Sequence, residues 1–355
     1  MLTSPGPFTS PAEVNPLFAD TGVKRGGRSV LLAALCALSA CGAPAPEPSV
    51  PQEPSAAVPA TPAAPAAAET TAPAAQPAPS PAPAAAVDDA LGGRLFDRWY
   101  TGKDFTPDSA KTPDAIDGRG GPFGNGSLPR ADGAPWSNAS GHDYRLKNLF
   151  GWDLRGSEGI AGPKYQNKKQ VLAKNLLAGK ESFDELLAWF DKGSTDSPGL
   201  GKVLSQDELR SLTSFVIGVR DGKLPHPDQV WTLSTTSPGR YTLNAGGDAT
   251  RGARLIGERC ARCHGADGTA MLFDDDEFSL GTHTRQKAYE DWAKILNGQP
   301  GTKMGRQVKS TTGKEMAQEI LDIFAALCDR KAFPKGAAKA ADVPDKDVRC
   351  GAYLR

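Results

Sequence analysis

Cys260-Ala261-Arg262-Cys263-His264 places two thiols and an imidazole within one short stretch. The C-x-x-C-H spacing lets both thiols add across the two vinyl groups of one haem, and the adjacent imidazole then reaches the iron from the same side. The rival chemistry is half of a zinc site, which needs a second ligand pair at a matching spacing. Cys328 and Cys350 stand too far apart to look like such a pair. The stretch therefore predicts covalent haem attachment through Cys260 and Cys263.

The flanking residues must position this motif. Arg254 to Arg259 lead into Cys260 as a short amphipathic helix, and Gly265-Ala266-Asp267-Gly268 turns the chain away after His264. Downstream comes the Gly/Pro loop Asn297-Gly298-Gln299-Pro300-Gly301-Thr302-Lys303-Met304-Gly305. Thr312-Gly313-Lys314-Glu315 then reads as a capping box. Met316, Ile320, Ile323, Phe324 and Leu327 repeat behind it at helical spacing and form one apolar face.

Helix, C-x-x-C-H, a loop carrying Met and a closing helix together resemble a class I c-type cytochrome over residues 240–330. The resemblance implies a mainly α fold with one haem c. Cys260 and Cys263 become the thioether anchors, His264 the proximal iron ligand and Met304 the distal ligand. A thioether there favours ferrous iron and raises the potential relative to a second imidazole. Spacing leaves other sixth ligands open. Met271 lies too close to His264 to swing over easily, and Met316 sits on an apolar helix face where Met is usually core. His283, in Gly281-Thr282-His283-Thr284, is the serious competitor, and an open iron is the remaining case.

The amino-terminal region carries address information. Lys24-Arg25-Gly26-Gly27-Arg28 is a basic run, followed by a short apolar core from Val30 to Leu38 and then Leu38-Ser39-Ala40-Cys41. This is a bacterial export signal, too short to span a membrane. Its end resembles a lipobox, which implies that Cys41 is lipidated and anchors the mature chain in the periplasm. Gly42 leans toward the outer membrane, and an ordinary signal cleaved near Ala43 is the alternative. Residues 1–22 lack signal character, which fits a start at Val23. Once Cys36 leaves with the signal, Cys41 takes lipid and Cys260 and Cys263 take haem, Cys328 and Cys350 remain in an oxidising compartment and are expected to pair. Residues 42–87 are almost entirely Ala and Pro with some polar residues. They read as an extended tether reaching at most about 140 Å at ~3.1 Å per residue.

Residues 88–228 read as a second domain related to the haem domain at 229–355. Leu91-Gly92-Gly93-Arg94-Leu95-Phe96 parallels Arg251-Gly252-Ala253-Arg254-Leu255-Ile256. Ser205-Gln206-Asp207-Glu208 is another capping box ahead of Leu209, Leu212, Phe215, Val216 and Val219. The segment from Tyr144 to Gly156 resembles the first haem site of dihaem c-type cytochromes. Leu146, Leu149 and Phe150 stand where two cysteines and a histidine would be, and the loop Gly193 to Leu200 has no Met or His. The expected architecture is tandem cytochrome c-like helical domains, the first haem-less. Trp99, Trp136, Trp152, Trp189, Phe150, Phe183 and Phe190 are candidates to fill the volume of the missing porphyrin. The bland alternative is an unrelated helical domain whose aromatics are ordinary core.

Other features carry little chemistry. Asp274-Asp275-Asp276-Glu277 reads as an exposed acidic loop rather than a calcium site. Gly118 to Gly126 lacks the residues of a phosphate loop, and His142 and His226 lack a paired acid or nucleophile. Lys plus Arg equal Asp plus Glu at 41 each, with no basic tract interleaved with aromatics, so nucleic acid is not an expected partner. The resemblance implies an electron carrier between redox proteins, with no catalytic side chain. Its dihaem relatives include oxidases of small sulfur compounds and peroxidases. An electron-transfer subunit of a larger dehydrogenase or respiratory complex is therefore the alternative. An open sixth position would instead suit a haem-based sensor.

Overall fold

The sequence is punctuated by strong helix starts, and the helices begin at them. In the computed structural model, residues 87–103, 128–134, 136 and 145–355 are described. The export signal, Cys41, the tether and the Val23 start lie outside the described residues, as do Gly118 to Gly126 and His142. The expectation of a mainly α fold is borne out. The helices are α1 (Asp89–Arg98), α2 (Leu146–Phe150), α3 (Phe183–Lys192), α4 (Gln206–Arg220), α5 (Ala249–Arg259), α6 (Ala261–His264), α7 (Leu280–Asn297) and α8 (Gly313–Leu327). One antiparallel pair, β1 (Trp231–Leu233) and β2 (Tyr241–Leu243), joins the two groups of helices. Among the described residues no helix is long and apolar enough to cross a membrane.

Ser205 caps α4 with a reciprocal box to Glu208. At α8 the Thr312 side chain accepts from the Glu315 amide, but its hydroxyl also donates to the Glu315 carboxylate, so only half of the predicted box forms. Each cap satisfies an amide that the first helical turn leaves unpaired.

The same local structures occur twice. Gly92 brings α1 against α4, and a Cβ there would lie 1.9 Å from the Ser211 carbonyl oxygen. Gly252 brings α5 against α8, and its Cβ would lie 1.8 Å from the Asp322 carbonyl oxygen. The amide four residues earlier donates to the same partner residue in each case, Asp88 to Ser211 Oγ (3.3 Å) and Asp248 to Asp322 Oδ1 (2.8 Å). Only a residue without a side chain permits this approach. Gly252→Val should therefore destabilise the fold by about 2–3 kcal/mol through overpacking against backbone, read as a lower midpoint in urea unfolding. A midpoint equal to wild type would show that α5 and α8 can separate at little cost.

The second correspondence lies at the short helices. α2 ends at Phe150 before Gly151 (φ 71°, ψ 160°), and α6 ends at His264 before Gly265 (φ 81°, ψ 160°). Leu154 then donates to the Gly151 carbonyl at 3.1 Å, as Gly268 does to Gly265 at 3.2 Å. The third lies after α3 and α7, where Gly193 and Gly298 each donate back into their helix at 2.8 Å. Ser194 donates to the Ser197 carbonyl and Gln299 to that of Met304, both at 3.0 Å. Three residues further on, Leu200 donates to Phe190 and Gln307 to Ile295, both at 2.8 Å. Phe150 and His264 thus each end a short helix before a positive-φ glycine, and the Ser197 and Met304 carbonyls each accept from the residue that follows such a glycine.

Most of the aromatic candidates enter the core. Trp99, Phe150, Phe190 and Trp152 are buried. Phe150 packs its ring 6.4 Å from Phe96 and 5.7 Å from Trp189. Trp136 and Trp189 pack against the core from partly buried positions, and Phe183 stays at the half-exposed first turn of α3.

Residues 331–355 fold back over the haem-motif half. A disulfide joins Cys328 to Cys350. Closing a loop of this length constrains the unfolded chain by about 3 kcal/mol in the chain-entropy account. The fully buried Arg285 guanidinium reinforces it, pairing with Asp342 and donating Nη1 to the carbonyls of Leu327 (2.7 Å) and Phe333 (3.0 Å). The Tyr353 hydroxyl donates to the Asn244 carbonyl (2.7 Å) and accepts from the Gly247 amide (2.6 Å).

Candidate haem site

α5 ends at Arg259, and Cys260 caps the one-turn helix α6 that carries Cys263 and His264. A single turn puts Cys260 beside Cys263 at i+3 and beside His264 at i+4. Cys263 is exposed and Cys260 half-buried, and both are free thiols. Burial pushes the Cys260 thiol up to about 11, against the pull of Arg259. It therefore stays protonated at neutral pH, unlike the low-pKa thiolates of redox or nucleophilic cysteines.

His264 is only 8% exposed, and its Nδ1 has no hydrogen-bond partner. Burial holds its pKa below the ordinary imidazole value, with the Asp291 charge pulling weakly the other way. A neutral imidazole is the form that binds iron. The Trp292 indole Nε1 is also buried and unpartnered, on a fully buried ring of α7. Two thiols and a buried imidazole with a lowered pKa fit a covalently bound haem. Among the described residues no three His, Cys, Asp or Glu side chains gather to hold a metal ion directly.

Phe273 stands between the two histidines, its ring 5.6 Å from His264 and 5.7 Å from His283. His283 is engaged on both nitrogens. Nδ1 lies 2.8 Å from Asp291 Oδ1, and Nε2 lies 3.9 Å from Asp274 Oδ2. Burial alone would lower its pKa, but the charge and hydrogen bond of Asp291 outweigh it and the pKa is raised. The two imidazole pKa values are thus shifted in opposite directions.

The methionines separate in the same way. Met316 is buried on α8 and Met271 is 44% exposed. Met304 is half-buried on its loop, where its amide donates to Thr302 Oγ1 at 3.1 Å. The tie between this loop and the cysteine segment runs through Arg259. Its Nη1 donates to the Gln307 carbonyl (2.9 Å) and to the Glu319 carboxylate. Glu319 in turn accepts from Ser310 and from the Lys309 amide (3.1 Å). Burial opposes the Glu319 charge, yet these donors take its pKa down to about 2.

The acidic run is an exposed turn closed by Phe273 and Phe278, with Asp274 paired to Lys287 at 2.8 Å. Arg259, Phe273, Asp291 and Trp292 were not singled out from the sequence. Of these only Arg259 carried a signal, its position directly before Cys260.

No family model and no curated protein matches the chain. Among solved structures it is similar to a thiosulfate dehydrogenase (TsdBA) from Marichromatium purpuratum, at 17% identity and a TM-score of 0.17. The match covers 71% of this chain and 48% of that one, so the chain spans about half of its length. A TM-score this low carries no argument about fold or activity.

Proposed function

We propose that the chain is a monohaem c-type cytochrome of the bacterial periplasm, lipid-anchored through Cys41, that passes single electrons between redox proteins. The observation that carries this is the C-x-x-C-H turn, with His264 buried and its pKa held below the ordinary imidazole value. Cys260 and Cys263 hold the haem and His264 is the proximal ligand. A haem ligated on both faces changes charge by one electron with little rearrangement, which suits transfer rather than bond chemistry. Met304 is the distal ligand on this reading. The resemblance to class I c-type cytochromes supports it, and the ferric spectrum of Met304→Ala decides it against His283.

Residues 88–228 are the haem-less cytochrome-like half and 229–355 the haem half. The support is the doubled geometry: glycine-mediated helix contacts, matching turns after Phe150 and His264, and matching loops at Ser197 and Met304. Phe150 fills the position of an iron ligand with an aromatic ring packed on Phe96 and Trp189.

The test is haem stoichiometry and the ferric spectrum of protein matured with a cytochrome c assembly system. One haem per chain is expected, with a weak long-wavelength sulfur-to-iron band that Met304→Ala removes. Two haems would overturn the haem-less half. A high-spin spectrum indifferent to Met304→Ala would leave the iron open and point to sensing or catalysis.

A further inference from the structure

We propose that α1, in the haem-less half, braces the loop carrying Met304 and so sets how firmly the sixth ligand is held. This rests on the His264/Met304 reading. The grip acts at both ends of the loop. Where the loop begins, Arg94 Nη1 donates to the Asn297 carbonyl at 2.8 Å. Gly93 lies so close that a Cβ there would stand 2.1 Å from Asn297 Cγ, and Asn297 is 1% exposed. One turn earlier on α7, Lys294 pairs with the buried Asp97 of α1. Where the loop ends, Arg306 Nη2 pairs with Asp89 at 2.5 Å while its Nε donates to the Leu296 carbonyl at 2.8 Å. Over the middle, the Thr101 methyl sits 3.0 Å from where a Gly301 Cβ would be.

The equivalent loop of the first half is held differently. Gly199 donates to the Pro129 carbonyl (2.8 Å) and Ala131 to that of Ser194 (3.2 Å), so a segment of its own half clamps it. The Met304 loop takes α1 of the other half on one side and Arg259 on the other. A thioether is a neutral ligand, so the fraction of time Met304 stays on iron depends on how well its backbone is pre-ordered. Asp89, Gly93 and Arg94 are positioning residues in this sense, since none needs to touch the haem.

The test uses the holoprotein with Asp89→Asn and Arg94→Gln combined. Two part-exposed polar contacts are lost while the haem half keeps every residue. The imidazole concentration that displaces half of the sulfur-to-iron band is expected to fall about tenfold. Amide exchange at Gln299 and Gln307 is expected to quicken by a similar factor, with haem content unchanged. If the double variant fails to fold, Asp89→Asn alone should shift both readouts in the same direction by a smaller factor. Unchanged displacement and exchange would overturn the brace while leaving the ligand assignment intact. A wild-type band that survives Met304→Ala would instead overturn the ligand assignment, and the brace with it.

Discussion

With both Cys260 and Cys263 replaced by alanine, the chain is expected to carry no haem through denaturing electrophoresis. The wild-type band should stain for haem and gain one haem in intact mass. The two thiols attach independently, so each single variant should keep one thioether and stain at reduced yield. The loss is also structural. A ligand that binds only the folded state adds its binding free energy to stability. The double variant should therefore unfold several degrees below the holoprotein in thermal scans. Haem that survives denaturation in the double variant would mean attachment elsewhere and would sink the site.

The haem motif was legible because covalent attachment demands particular residue types at one fixed spacing. The helices α4 and α8 were legible because an apolar stripe and a polar N-cap coincide in each, whereas only Arg254 to Arg259 of α5 were read, because its Asp248 cap went unrecognised. α7 was not. Its first turns bury Thr282, His283, Thr284 and Arg285, so the apolar periodicity that marks a helix is missing there. Lys287 also breaks the helical dihedrals (φ −139°, ψ 34°), splitting the pattern in two. Thr282 is satisfied by Ser279 and His283 and Thr284 by Asp291, but Arg285 is satisfied by Asp342 and the carbonyls of residues 327 and 333, partners that no local window contains. The brace on the Met304 loop was hidden for the same reason. Asp89 and Arg306 are 217 positions apart. The competition between Met304 and His283 was left open by spacing, and the Met304→Ala spectrum decides it.

Asp97→Ala is expected to cost about 3–5 kcal/mol at pH 7, because it leaves two partly buried ammonium groups without a counterion. Asp97 is 3% exposed, and it accepts from Lys147 at 2.6 Å and from Lys294. Both ammonium groups also lie over the Trp152 ring, 4.4 and 5.1 Å from its centroid. Burial would raise the Asp97 pKa, but the two lysines outweigh it and hold the carboxyl below the ordinary aspartate value. At Lys147 burial prevails over Asp97, and the pKa falls below the ordinary lysine value. The signs then fix the pH dependence. A depressed carboxyl pKa gives stability present above the unfolded aspartate value near ~4 and lost as pH falls through the folded one. The deficit of the variant should therefore shrink as pH falls below about 4, where the unfolded chain takes up the Asp97 proton before the folded one does. It should shrink again at alkaline pH, where the unpaired lysines of the variant escape by losing their protons. Urea unfolding at pH 3, 7 and 10 reads all three points, and equal stability at pH 7 would show that the lysines find water instead. Replacing Asp97 by Leu and both lysines by Met should cost far less than Asp97→Ala, since an apolar cluster removes the desolvation penalty along with the pairing. That contrast would assign the triad to fixing how α1, α2 and α7 meet rather than to net stability.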